Sequence, residues 1–208
     1  SKHRRAQQQF LVEGTHLVQE AIATGYPLQA ICATAAWQAQ HADLWAQMQA
    51  STERHEIVSP EVLAAIATTQ TPDGVVAISP RQPAVPLPRQ PQLGLAVEAI
   101  QDPGNVGTLI RTAAAVGSDG LCLSQNSVDL THPKVLRASA GQWFRVTPQT
   151  TADLPQQLAT WQAQDCQILA TAAEGAVPYW QVDLTVPTVL VLGNEGAGLS
   201  PAAIAIAD

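Results

Sequence analysis

Positive charge is scarce in this 208-residue chain: ten lysines and arginines stand against 17 acids, for a formal net charge of −7. No basic side chain follows Arg145. A uniformly basic surface, the usual mark of nucleic-acid binding, is thereby excluded. Charged residues are only 13% of the chain and apolar residues 46%, which excludes a disordered chain. No apolar run approaches the roughly 20 residues of a membrane-spanning helix. The start, Ser1-Lys2-His3-Arg4-Arg5, carries basic residues without an apolar stretch behind them, so it does not read as a secretory signal. The three cysteines, Cys32, Cys122 and Cys166, form no Cys-x-x-Cys pair and are expected to be buried, reduced thiols, with the cytoplasm as the default location. Histidines 3, 16, 41, 55 and 132 lack metal-ligand spacing, and no metal is expected.

Proline is the exception to this scarcity. Five of the twelve residues from Pro80 to Pro91 are prolines. Proline fixes φ and donates no hydrogen bond, so this stretch cannot be a core strand or helix and reads as a semi-rigid linker. It divides the chain into a first domain over residues 1–79, a linker over 80–92 and a second domain over 93–208.

Strand and helix signals alternate in both parts. In the first, Phe10-Leu11-Val12 and Leu28–Cys32 read as strands, residues 36–50 as a helix, and Val75–Ile78 as a closing strand. Thr15 is expected to cap a helix carrying Leu17, Val18, Ala21 and Ile22, and Ser59-Pro60 opens another. In the second, strands are expected at 93–99, 121–123, 168–170 and 188–192. Helices are expected at 106–116, near 133–139 and at 153–164. Such alternation predicts an α/β chain with a parallel sheet, and ligands bind such sheets at the carboxyl ends of the strands. The loops to inspect therefore follow Ile100, Leu123, Thr171 and Leu192.

Two of these loops carry chemistry. The first is Gln101-Asp102-Pro103-Gly104-Asn105-Val106-Gly107, with Arg111 further along the same helix. Asp-Pro-Gly-Asn is turn chemistry and Asn105 is a natural N-cap. Read alone, this is a capped helix with one solvated arginine. The second is Gly193-Asn194-Glu195-Gly196-Ala197-Gly198, where three glycines permit close backbone approach to a ligand. Read alone, it is a tight strand-to-helix turn. It matches neither the dinucleotide fingerprint nor a P-loop. The few cations near the motifs, Lys134, Arg137 and Arg145, together with the Lys2–Arg5 arm, are the candidate contacts for an anionic partner such as a nucleic acid. Trp143, between two arginines, is a candidate for base stacking, whereas Trp37, Trp45, Trp161 and Trp180 read as packing residues.

Taken together, the Asp102–Gly107 run with Arg111 and the Leu192–Leu199 run resemble the first and second motifs of SpoU-type RNA 2'-O-ribose methyltransferases, the SPOUT class. Lys134-Val135-Leu136-Arg137-Ala138-Ser139-Ala140-Gly141 is similar to the family's intermediate segment. Phe10–Gly14 and Thr71–Val75 resemble its small substrate-binding domain. The resemblance implies a Rossmann-like parallel-sheet domain with a trefoil knot, behind a small α/β domain of ribosomal-protein type. It implies S-adenosylmethionine as cofactor, held largely by backbone at Thr171, Leu192, Gly193, Gly196 and Gly198. Asn105, Arg111 and Glu195 fall on active-site positions, ribosomal or transfer RNA is the substrate, and a homodimer is the assembly. A guanidinium almost never loses its proton, so binding phosphate or orienting the hydroxyl suits Arg111 better than accepting a proton. The family's third motif, a Ser-Leu-Asn segment, is not found before Asp208. The chain is therefore expected to be a piece with the knot incomplete. Two alternatives stay open from sequence: a non-catalytic RNA-binding member of the family, and a dinucleotide-dependent oxidoreductase disfavoured by the glycine spacing.

Overall fold

A computed structural model describes residues 7–172 and 177–208. The Lys2–Arg5 arm lies outside them. The chain forms two compact units: residues through Pro83 with Thr131–Arg145, and Ala84–Leu130 with Val146–Asp208.

The first unit is built on a four-stranded sheet. Its strands are β1 (Gln9–Glu13), β2 (Ala30–Thr34), β3 (Arg54–Val58) and β4 (Val75–Pro80), in the order β1-β4-β2-β3. Only β2 and β3 run parallel. Phe10 and Val12 alternate inward from β1, as a half-buried strand requires. Helix α1 (Thr15–Ala23) buries Leu17, Val18 and Ala21. Thr15 is its first residue rather than its cap. A distant acid takes the capping role, because the Thr15 N–H and hydroxyl both donate to Asp73, at 2.7 and 2.8 Å. The expected helix over 36–50 is two helices, α2 (Ala35–Gln40) and α3 (Ala42–Ser51). They part at His41, whose ring lies 4.8 Å from that of Trp37. Helix α4 (Pro60–Ile66) opens as read, with Ser59 Oγ accepting from the Val62 N–H.

The remaining helices follow in chain order: α5 spans Pro103–Ala115, α6 Pro133–Ala138, α7 Trp143–Val146, α8 Leu154–Gln162 and α9 Pro201–Ile204. The segment carrying α6 belongs to the first unit. Trp143 is buried there, with its ring 5.3 Å from Phe10 and 5.6 Å from Tyr26. It is a core residue and has no open face for a base.

The second unit holds a fully parallel five-stranded sheet of β5 (Leu93–Val97), β6 (Gly120–Ser124), β7 (Gln149–Thr151), β8 (Gln167–Ala170) and β9 (Thr188–Leu192). Its order is β7-β6-β5-β9-β8. One core cluster joins Ala96, Cys122, Val189 and Val191 of the sheet to Leu154, Leu158 and Trp161 of α8. Each fully buried large side chain contributes about 1.5–3 kcal/mol. Burial pushes the Cys122 thiol up to about 12, so it stays protonated. Cys166 is also buried, while Cys32 is half-buried. The proline run does not hang free along its whole length: the Pro88 carbonyl accepts from Trp161 Nε1 at 2.9 Å, and the Pro91 ring lies over Gly94. Trp180, read as a packing residue, is 72% exposed.

Strand order places the site. From β5 the chain leaves toward β6, while β9 is entered from the opposite edge. The carboxyl ends of β5 and β9 therefore flank the point where the winding reverses, which is where open α/β sheets bind ligands.

Candidate active site

The two motif loops meet at that point. The Glu98 N–H donates to the Leu192 carbonyl at 2.8 Å, extending the β5–β9 ladder by one bond. Beyond it, Ala99 takes a left-handed φ of 53°. Such a conformation costs a residue with a Cβ about 1–3 kcal/mol unless its surroundings fix it. Here they do. Ser124 Oγ accepts the Ala99 N–H at 2.7 Å, and the Ala99 carbonyl accepts from Asn194 Nδ2 at 2.8 Å and Gln101 Nε2 at 2.9 Å.

Helix α5 starts one turn earlier than its apolar pattern suggests. Its N-cap is Asp102, not Asn105: Asp102 Oδ1 accepts from the N–H groups of Gly104 and Asn105, at 2.6 and 3.0 Å, with Pro103 at the first helical position. That frees the Asn105 side chain. Its Nδ2 donates to Glu195 Oε1 at 3.1 Å, leaving Oδ1 turned elsewhere. A carboxylate only accepts, so this bond fixes which way the carboxamide points.

Glu195 is the hub. Oε1 also accepts the Asp102 N–H at 3.0 Å, while Oε2 accepts the Gln101 N–H at 3.3 Å and Asn194 Nδ2 at 3.4 Å. Hydrogen bonds from the Asp102 backbone first, then its own N–H and the Asn105 side chain, hold the carboxyl down to about 2. Glu195 is thus an anion whose lone pairs are already engaged, unsuited to taking a proton at neutral pH. A depressed pKa stabilises the folded loop above the ordinary carboxylate value of 4.5. That contribution is lost as pH falls through about 2. A carbon-13 titration of the Glu195 carboxyl should show a midpoint near 2; a midpoint at or above 4.5 would mean the four donors do not engage it.

The glycine loop closes on itself. Asn194 and Gly198 exchange backbone bonds at 3.0 Å each, and Asn194 Oδ1 accepts from the Gly196 and Ala197 N–H groups at 2.9 Å. Its three glycines differ in reason. A Cβ on Gly193 would sit 2.3 Å from the Gly198 carbonyl carbon, and Gly198 has φ +70°. Gly196 has neither constraint: a Cβ there would meet only Asn194 Oδ1, at 3.7 Å. At β8, the Thr171 N–H and hydroxyl both donate to the Val191 carbonyl, at 3.0 and 3.1 Å.

Asn105 and Glu195 are therefore brought together, and Arg111 is not joined to them. It is exposed on α5, with Thr108 Oγ1 at 3.5 Å as its near neighbour, and forms no ion pair among the described residues. Lys134 is likewise exposed and unpaired among them. Arg137 Nη1 lies 3.5 Å from Glu13, and Arg145 donates to Glu20 at 2.7 and 3.0 Å. Burial pushes the Glu13 carboxyl up, but four bonds from Thr68 and Thr69 outweigh it and leave the pKa lowered. Sequence reasoning missed Gln101, Ser124 and Asn194. Only Asn194 had a local signal, an asparagine two residues before a glycine in a turn.

Residues 92–208 match the SpoU rRNA Methylase family, and residues 1–77 match the MRM3-like substrate binding domain. An uncharacterized tRNA/rRNA methyltransferase of Synechocystis is 42% identical over 96% of this chain and 73% of its own length. The 23S rRNA (guanosine(2553)-2'-O)-methyltransferase RlmP of Bacillus subtilis is 30% identical over 100% of the chain and 80% of its own length. Among solved structures, the SpoU methyltransferase AviRb of Streptomyces viridochromogenes in complex with AdoMet superposes with a TM-score of 0.86. It is 26% identical and covers 100% of this chain and 81% of its own. With its motif loops locked together by Glu195 and both its segments matched, the chain belongs to the SpoU rRNA methylase family.

Proposed function

We propose that this protein transfers a methyl group from S-adenosylmethionine to a ribose 2'-hydroxyl of ribosomal or transfer RNA. The observation that carries the chemistry is the Asn105 carboxamide, fixed by the Glu195 carboxylate with Oδ1 free of any partner among the described residues. Oδ1 accepts the hydrogen of a ribose hydroxyl and so orients its oxygen. Glu195 acts on Asn105 and on the turn, not on the substrate proton. Arg111 keeps its charge and binds phosphate or offsets charge developing on the attacking oxygen.

S-adenosylmethionine, when bound, supplies an electrophilic methyl group. The residues present fit such a cofactor. Gly196 is a glycine for which neither φ nor a neighbour accounts, as expected where a ligand lies close to backbone. Leu192, Gly193, Gly196 and Gly198 would hold it by backbone groups, and Thr171 by a hydroxyl whose own proton already goes to Val191. The finer architecture is part of the same proposal: a trefoil-knotted second unit, a first unit of ribosomal-protein type, a homodimer, and a place in the cytoplasm.

RNA contacts are assigned to Lys134 foremost, with Arg137 and Arg145 contributing the charge that Glu13 and Glu20 leave unscreened. Incubation of the protein with RNA and labelled cofactor should yield label in 2'-O-methylated nucleosides after digestion. Label in bases alone, or none, contradicts the reading. Lys134→Glu should weaken RNA binding and reduce the salt slope by about 1; an unchanged slope removes Lys134 from the interface.

A further inference from the structure

A cavity of about 440 Å³ opens at the carboxyl ends of β5, β6 and β7, within the second unit and beside the site described above, with which it shares Glu98 and Ser124. Its size falls in the range of about 300–1,000 Å³ typical of small-molecule sites. Glu98, Gln125, Asn126 and Asp153 supply its polar wall, and Leu154 and Pro155 an apolar one.

The two carboxylates of the wall are each engaged through one oxygen. Glu98 uses Oε2 for the Ser200 N–H, at 2.7 Å, and Asp153 uses Oδ1 for the Gln156 N–H, at 2.9 Å. The second oxygen of each carboxylate has no protein partner among the described residues, and neither does the Gln125 carboxamide. No lysine or arginine lines the cavity. Two carboxylates without a cation exclude phosphate and other anions. They suit an uncharged ring with N–H donors on its edge. Among the RNA bases, guanine alone presents two adjacent donors, N1–H and N2–H, on its Watson–Crick edge. A carboxylate can accept both in parallel.

We propose that this cavity takes a guanine base of the RNA, with the Asp153 carboxylate accepting from N1–H and N2–H and Pro155 and Leu154 packing on the ring. The proposal rests on the RNA-methylation reading. Enzymes that work on a nucleotide commonly seat an unstacked base in such a pocket and read its Watson–Crick edge. One turn links cavity and site: the Gln101 carboxamide donates to the Asn126 carbonyl in the cavity wall at 2.8 Å, while the Gln101 N–H donates to Glu195.

The test is an amide-shift titration of the full chain with guanosine, inosine, adenosine and uridine. Guanosine should bind tightest, inosine, which lacks the N2 amine, more weakly, and the shifts should centre on residues 124–126 and 152–155. Asp153→Asn keeps a good helix cap and should weaken guanosine about tenfold, within the range for losing one bidentate base contact. Equal response to all four nucleosides, shifts centred elsewhere, or indifference to Asp153→Asn would overturn the proposal. Guanosine binding needs no methyl transfer. If guanosine binds as described but no RNA is methylated, the methylation reading fails and the cavity stands; methylation without guanosine binding sinks the cavity alone.

Discussion

Arg111→Ala is expected to lower the single-turnover methylation rate by about 10²–10³-fold, the usual effect of removing one donor aimed at developing charge. The structure separates this loss from a folding defect. Arg111 is exposed and unpaired by any carboxylate among the described residues, and its near contact, to Thr108, is at the outer limit of a hydrogen bond. Surface substitutions of that kind shift stability by about 0.5 kcal/mol or less. Melting temperature should therefore hold while the rate falls. Arg137 and Arg145 offer the contrast, since each already faces a glutamate. Arg111→Lys separates the possible roles further. A point charge can neutralise phosphate but cannot reproduce the planar fork, so partial rescue indicates phosphate binding and no rescue indicates orientation of the hydroxyl. A mutant retaining more than half the rate would place Arg111 outside the site.

Much of the fold was legible because its signals are local. The continuous apolar run at Thr188–Leu192 marks a strand covered on both faces, and it is the strand beside β5 in the parallel sheet. Ser59-Pro60 declares its helix start within two residues. The errors arise where a partner is remote. Thr15 has the chemistry of a cap, but Asp73, 58 residues away, takes its N–H instead. Asn105 also has cap chemistry. Asp102 is better placed, because Pro103 can open the helix at once, and Asn105 is released for Glu195. Strand β3 escaped notice because Arg54–Val58 is mostly polar and its side chains are largely exposed, so no alternation is visible. Trp143 looked available for RNA because arginines flank it; burial against Phe10 and Tyr26 is a tertiary fact that spacing does not carry.

The site shows the same division. The motifs named the residues, but the sequence did not say what each does. The family resemblance puts Glu195 on an active-site position. Four donors converging on its two oxygens instead make it the tie between two loops. Ser124, which helps hold Ala99 in its left-handed turn, has no sequence signature because its partner is a backbone group of another strand's loop, and Gln101 has none because its bond follows from the turn Ala99 takes.

The glycines of the second motif allow that distinction to be tested within one loop. Gly193→Ala is expected to remove both stability and cofactor binding. Its Cβ would lie 2.3 Å from the Gly198 carbonyl carbon and 2.5 Å from the Leu199 nitrogen, both main-chain atoms that cannot swing aside as a side chain would. Relief requires opening the reciprocal Asn194–Gly198 pair, which closes the loop and sets where Glu195 projects. Overpacking of this kind costs about 1–3 kcal/mol, and the melting temperature should fall accordingly. Gly196→Ala is expected to behave differently. Its Cβ meets only Asn194 Oδ1, at ordinary contact distance, and its φ is not left-handed. The fold tolerates the methyl group, so the unfolding free energy of the free protein should stay within about 0.5 kcal/mol of wild type. If S-adenosylmethionine lies against this backbone, the same methyl group occupies its space. The stabilisation that saturating cofactor gives the wild-type full chain, which follows its concentration relative to Kd, should then be lost in Gly196→Ala. A Gly196→Ala protein that gains as much stability from the cofactor as wild type does would show that the loop holds no ligand at this position.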